Sequence, residues 1–126
     1  MPWLEIAAVS AGAVVGSLLR WSAGIWLNAR WSGFPLGTLF VNCVGGLVIG
    51  AVLFWLERSP NELLRLLLVT GLLGGFTTFS AFSAESLILL QRGELVLAFG
   101  HATAHVVGSL ACAALGFRIA QAALLR

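Results

Sequence analysis

The sequence predicts an all-α integral membrane protein with four transmembrane helices, the third broken near the bilayer midplane. Three observations carry that expectation. Of 126 residues, 60% are hydrophobic and only 10% charged, far below the quarter or so that soluble domains use. Charges and turn residues cut the chain into four apolar runs, about residues 3–27, 35–56, 63–90 and 95–125. Each can cross about 30 Å of hydrocarbon at about 1.5 Å per residue. Within the third run, "GGFTTFSAFS", Gly74 to Ser83, places two glycines and four hydroxyls where an ordinary span would be apolar.

The first run is interrupted only by Arg20, which lies about 26 Å along the helix from Trp3 and can snorkel towards headgroups. It begins with Glu5 rather than a basic n-region and is too long for an h-region, so it reads as a first span and not as a signal peptide. Trp3, Trp26, Trp31 and Trp55 fall near span ends, where indoles favour the headgroup layer. The second run carries Asn42 about a third of the way in, and Gly46 and Gly50 four residues apart. Small residues at that spacing let helix backbones approach closely.

In the third run, Gly74 to Thr78 lies about 17 to 22 Å from the start, close to the midplane. Two glycines and two β-branched threonines weaken a helix there. The plain reading of "GGFTT" is a kinked helix whose hydroxyls back-bond to carbonyls one turn earlier. Beyond it, Ser80 and Ser83 form one track and Phe79 and Phe82 another, side by side at helical spacing. Discontinuous helices at such depth are where transporters and channels hold ions on carbonyls and helix ends. Glu85 follows seven residues after Thr78, placed for a pathway mouth or for pairing with an arginine.

The fourth run carries His101, His105 and Ser109 on one face, and Gly108 four residues before Cys112. Polar groups at membrane depth are functional candidates by default, although interhelical hydrogen bonding accounts for many of them at about 0.6 kcal/mol each. The connections "NARWSGF", "ERSPNE" and "QRGE" are short, so residues 1–126 read as one four-helix transmembrane domain.

Orientation is not set by charge. One side carries Arg58, Arg65 and Arg126, the other Arg30 and Arg92, too small a bias for the positive-inside rule. Insertion in both orientations would permit antiparallel dimers; insertion in one is the equal alternative.

Several classes are excluded or disfavoured. The seven cations are dispersed arginines and formal charge is +2, which gives no nucleic-acid surface. Cys43 and Cys112 sit in apolar runs and read as small buried hydrophobes. The His pair is a weak metal signal, because no third ligand is placed beside it in the sequence. No GxSxG, HExxH or Walker-type loop occurs, so an enzyme is not expected.

Asn NH2 and Ser/Thr hydroxyls can donate to an anion, and a phenyl edge carries positive partial charge. A narrow path with such walls suits a small, strongly hydrated anion, while the same hydroxyls could turn lone pairs to a cation.

The strings "GGFTTFSAFSAE", "GTLFVNCVGG", "RW" at Arg20 and Trp21, and "HVVGSL" resemble the Fluc (CrcB) fluoride channel family. The resemblance covers the whole chain, with the motifs in matching order. It implies an antiparallel, dual-topology homodimer in the bacterial cytoplasmic (inner) membrane, with two pores at the dimer interface passing fluoride passively. Fluoride that enters as HF and dissociates in the cytoplasm would leak out again, giving fluoride resistance. By resemblance, Phe79 and Phe82 present ring edges to the pore, Asn42 is its second-span asparagine, and Ser80, Ser83 and Ser109 are its hydroxyls. Carbonyls of Gly74 and Thr77 from both subunits would hold a structural Na+ at the dimer centre. Arg20 and Glu85 match a first-span arginine and a glutamate after the motif, with His105 a further residue at a pathway mouth or in a structural role. Ala81 stands where many members have threonine, one donor fewer.

Two rivals remain at this level. A multidrug-exporter-like transporter would need a carboxylate buried in the first helix, where only Glu5 occurs. A non-transporting assembly subunit would tolerate leucine at Asn42, Phe79 and Phe82.

Overall fold

A computed structural model describes residues 1–30 and 34–125. Trp31, expected in the headgroup layer, and Arg126, counted in the charge bias, lie outside the described residues. The elements are α1 (Pro2–Asn28), α2 (Leu36–Arg58), α3 (Glu62–Arg65), a π-helix (Leu66–Leu73), α4 (Gly74–Phe76), α5 (Phe79–Gln91) and α6 (Leu95–Leu124). Four helical spans are long and apolar enough to cross a membrane: Pro2–Asn28, Leu36–Arg58, Glu62–Gln91 and Leu95–Leu124. Only 11% to 28% of their most apolar windows is buried inside the chain. Most apolar side chains therefore face outward, as a hydrocarbon solvent requires and water would not tolerate.

Local chemistry sets the boundaries. Pro2 opens α1 at a position where its missing N–H costs nothing. The Asn28 side chain at the end of α1 accepts the Gly37 N–H at 2.8 Å and so ties the first turn of α2 to it. Asn61 caps α3 by accepting the Leu64 N–H. Gly93 takes φ +72 in the tight link before α6, a conformation that glycine adopts without penalty.

Packing divides the bundle into two seams. α2 lies along α6, where a Cβ added at Gly46 would come within 2.6 Å of the Ser109 carbonyl oxygen, and one at Gly50 would collide with that of Ala113. Here the expected Gly46–Gly50 pair meets a partner, so the two backbones touch across a groove of small residues. α1 lies along the π-helix in the same manner. A Cβ at Gly71 would sit 2.7 Å from the Val9 carbonyl oxygen, and one at Gly75 2.7 Å from that of Ala13.

The third span departs from the sequence expectation in a specific way. The glycines do not break it: Gly74 and Gly75 are helical, and the missing side chain of Gly75 serves the seam with α1. The interruption falls one turn later. Thr77 (φ −85, ψ 160) and Thr78 (φ −153, ψ 119) are extended, and helix resumes at Phe79. Two adjacent β-branched residues favour that backbone. Thr78 then caps α5, its Oγ1 accepting the Ala81 N–H at 3.1 Å.

Candidate functional site

The interruption opens onto a cleft of about 450 Å³ between α2, the third span and α6. Asn42, Phe79, Phe82, His105 and Ser109 line it, together with Gly74, Thr77 and Thr78 at the interruption itself. The fold thus gathers most of the residues singled out in the sequence. Ser80, Ser83, Arg20 and Glu85 lie outside this lining.

Asn42 is the centre of the arrangement. Its Oδ1 accepts the Thr78 N–H at 2.8 Å, while its Nδ2 donates to the Thr78 carbonyl at 3.0 Å. The carboxamide thereby replaces the two backbone partners that Thr78 loses when the helix stops. The same Nδ2 also lies 3.1 Å from His105 Nδ1. Both amide hydrogens are therefore engaged within the protein.

Those bonds fix the state of His105. Thr78 N–H can only donate and its carbonyl only accept, so the orientation of the Asn42 amide is determined. Its second hydrogen then requires an acceptor at Nδ1, which leaves the imidazole proton on Nε2. His105 is 5% exposed, and its Nε2 has no hydrogen-bond partner among the described residues. A buried donor left in that condition costs about 1–3 kcal/mol.

One turn earlier on α6, His101 is fully buried, at 0% exposure. Its Nε2 lies 3.1 Å from Glu85 Oε2 and its Nδ1 3.2 Å from Ser86 Oγ. Glu85 Oε1 accepts from the Thr38 hydroxyl. Two expectations are corrected here. Glu85 pairs with Thr38 and His101, with no arginine beside it among the described residues, and it supplies the third group that the sequence seemed to lack beside the His pair. Glu85, His101 and His105 could hold a metal ion, with one ligand atom from each lying within 4.8 Å of the others. Tertiary folding brings Glu85 across from another span, a proximity that spacing along α6 cannot reveal.

Aromatic rings complete the wall. Phe82 stacks on His101 (centroids 5.3 Å, interplanar 8°) and packs on His105 at 4.7 Å. Phe79 lies 5.3 Å from Phe82 and is 78% exposed. The Ser83 hydroxyl donates back to the Phe79 carbonyl at 2.9 Å. Ser80 Oγ lies 3.2 Å from Thr78 Oγ1. Arg20, expected to snorkel, instead donates from Nε to the Gly75 carbonyl at 2.9 Å, because that carbonyl lies just before the interruption and lacks a continuing helix.

Thr38 and Ser86 were not singled out from the sequence, and Thr78 only as one of two threonines that weaken the helix. Thr78 carried a signal, since threonine before a helical run is a favoured cap. So did Thr38, one turn before Asn42 on the same face.

Residues 7–117 match the family described as "CrcB-like protein, Camphor Resistance (CrcB)". The chain is 51% identical over 112 residues to a protein of Aromatoleum aromaticum named "Fluoride-specific ion channel FluC", covering 87% of this chain and 86% of that one. It is 49% identical over 121 residues to a protein of the same name from Bordetella petrii, covering 94% and 93%. A third, from Pseudomonas aeruginosa, is 48% identical over 116 residues, covering 90% and 91%. These relatives are named as ion channels, not as enzymes.

Proposed function

Since this chain belongs to the CrcB family, we propose that it is a passive, fluoride-selective channel that exports cytoplasmic fluoride and gives fluoride resistance. It would act in the bacterial inner membrane as an antiparallel, dual-topology homodimer with two pores at the subunit interface. Residues 1–126 would form one transmembrane domain, with the Thr77–Thr78 interruption near the midplane.

The reading rests on the cleft at that interruption. A fully hydrated small anion can enter a membrane protein only where donors replace its water. Phe79, Phe82, Asn42 and Ser109 line the cleft; the ring edges of the two phenylalanines and the Ser109 hydroxyl would meet the anion, while the Asn42 amide is spent on Thr78 and His105. Positive ring edges and neutral donors stabilise a compact anion without holding it so tightly that it cannot leave. Ser80 would continue this track along α5, whereas the Ser83 hydroxyl donates back to the Phe79 carbonyl.

Gly74 and Thr77 would hold a structural Na+ through their carbonyls, one set from each subunit. The hydrogen bonds favour that assignment. In an unbroken helix the Thr78 and Ala81 amides would donate to the Gly74 and Thr77 carbonyls, but here they go to Asn42 Oδ1 and Thr78 Oγ1. Two carbonyl oxygens are thus released at one place, and oxygen donors suit a hard cation. Bound there, the ion would supply a fixed positive charge beside the anion route.

The test is ion efflux from liposomes holding the purified protein, followed with fluoride and chloride electrodes in parallel. Rapid fluoride release without chloride release is expected. Release of neither ion from a folded, dimeric preparation would overturn the reading.

A further inference from the structure

The geometry points to His105 Nε2–H as an anion-binding donor of the cleft, with Asn42 acting as a positioning residue that fixes the imidazole tautomer. This rests on the channel reading above and adds a contact to it.

Two features of the cleft lead there. Asn42 is an obvious donor by residue type, yet its Nδ2 serves the Thr78 carbonyl and His105 Nδ1. It has no further hydrogen to give an ion unless one of those bonds breaks. His105 Nε2, by contrast, carries a hydrogen that nothing among the described residues accepts. It belongs to a ring that is 5% exposed and lines the cleft beside Phe82.

A buried unpartnered donor calls for an acceptor, and a cleft with phenyl edges favours a small anionic one. The two histidines of α6 make the point by contrast. His101 has a partner on each ring nitrogen, Glu85 and Ser86, and its role is complete within the fold. Among the described residues His105 has one partner and one buried donor left unpaired.

Nuclear magnetic resonance of the 15N-histidine-labelled full chain, together with electrode-detected efflux, tests the proposal. In the wild type, His105 should show the Nε2–H tautomer. Its Nε2–H signal should move when sodium fluoride replaces sodium gluconate, while the signals of His101 stay in place. A Nδ1–H tautomer, or an Nε2–H signal indifferent to fluoride, would overturn the proposal. H105F keeps a ring without the donor and should lose at least about tenfold in fluoride flux. H105Q carries a donor to the place of Nε2 and should stay within about threefold of wild type. Wild-type flux in a folded H105F protein would also overturn the proposal. N42D, which sets a carboxylate oxygen against Nδ1, should draw the proton to Nδ1 and lower flux. An unchanged tautomer in that variant would remove the positioning role. If the wild type passes no fluoride at all, the channel reading itself falls, whereas a normal wild type with an unaffected H105F sinks this inference alone.

Discussion

Compared across Thr77 and Thr78, the two halves of the third span are held by different means. Upstream, the π-helix and α4 lie against α1 with glycine at the contacts, so close that a Cβ at Gly71 or Gly75 would reach within 2.7 Å of a carbonyl oxygen. Backbone meets backbone, and the fit is one of shape. Downstream, α5 is held by side chains: Thr78 caps it, Phe82 stacks on His101, and Glu85 bonds Thr38 and His101. Two extended residues thus separate a region held by backbone contact from one held by side chains. Substitutions on the two sides should therefore fail in different assays.

Gly71→Leu should have the largest effect. Overfilling a close-packed contact costs about 1–3 kcal/mol and sometimes more, so the thermal midpoint in detergent should fall steeply or folded protein should not be recovered. Wild-type stability in that variant would erase the contrast. Phe82→Ile should do the reverse. Flux should drop at least about tenfold, equivalent to about 1.4 kcal/mol, while the thermal midpoint changes little. Unchanged flux would remove the ring-edge role.

Thr78→Ala should be intermediate. Loss of the cap costs about 1 kcal/mol, so hydrogen exchange at the Ala81 amide should quicken about fivefold, with Thr78→Ser restoring protection. Exchange unaltered in the alanine variant would show that α5 starts without its cap. Ser83→Ala should matter least. Its hydroxyl hydrogen goes to the Phe79 carbonyl, so flux should stay within about twofold, as expected for a back-bonded hydroxyl. A tenfold loss would mean that this hydroxyl turns towards the ion path.

Much of the fold was legible because membrane helices announce themselves locally, through apolar length and interfacial tryptophan. The Gly46–Gly50 pair was also legible, since its spacing is a packing signal in itself. That Asn42, Phe79 and Phe82 would share one candidate site was legible by residue type, and all three line the cleft, but their connections were not legible. Asn42 meets His105 across 63 residues of sequence, and Arg20 meets Gly75 across 55. Spacing rules act over one or two turns and cannot see such pairs. Gly74 and Gly75 show the opposite error. Glycine and threonine together were expected to weaken the helix, whereas here Gly75 serves close approach to α1 and the β-branched threonines alone end it.

The π-helix at Leu66–Leu73 has a consequence for how this chain can change length. A π turn holds more residues than the α turn it replaces, so a single-residue deletion there can be absorbed by tightening the turn. The faces of α4 and α5 would keep their directions. The same deletion within Phe79–Gln91 finds no such slack and would turn everything after it by about 100°, carrying Glu85 away from His101. Single-residue deletions should therefore be tolerated within Leu66–Leu73 and rejected between Phe79 and Glu85, and a deletion scan through the third span would show the contrast.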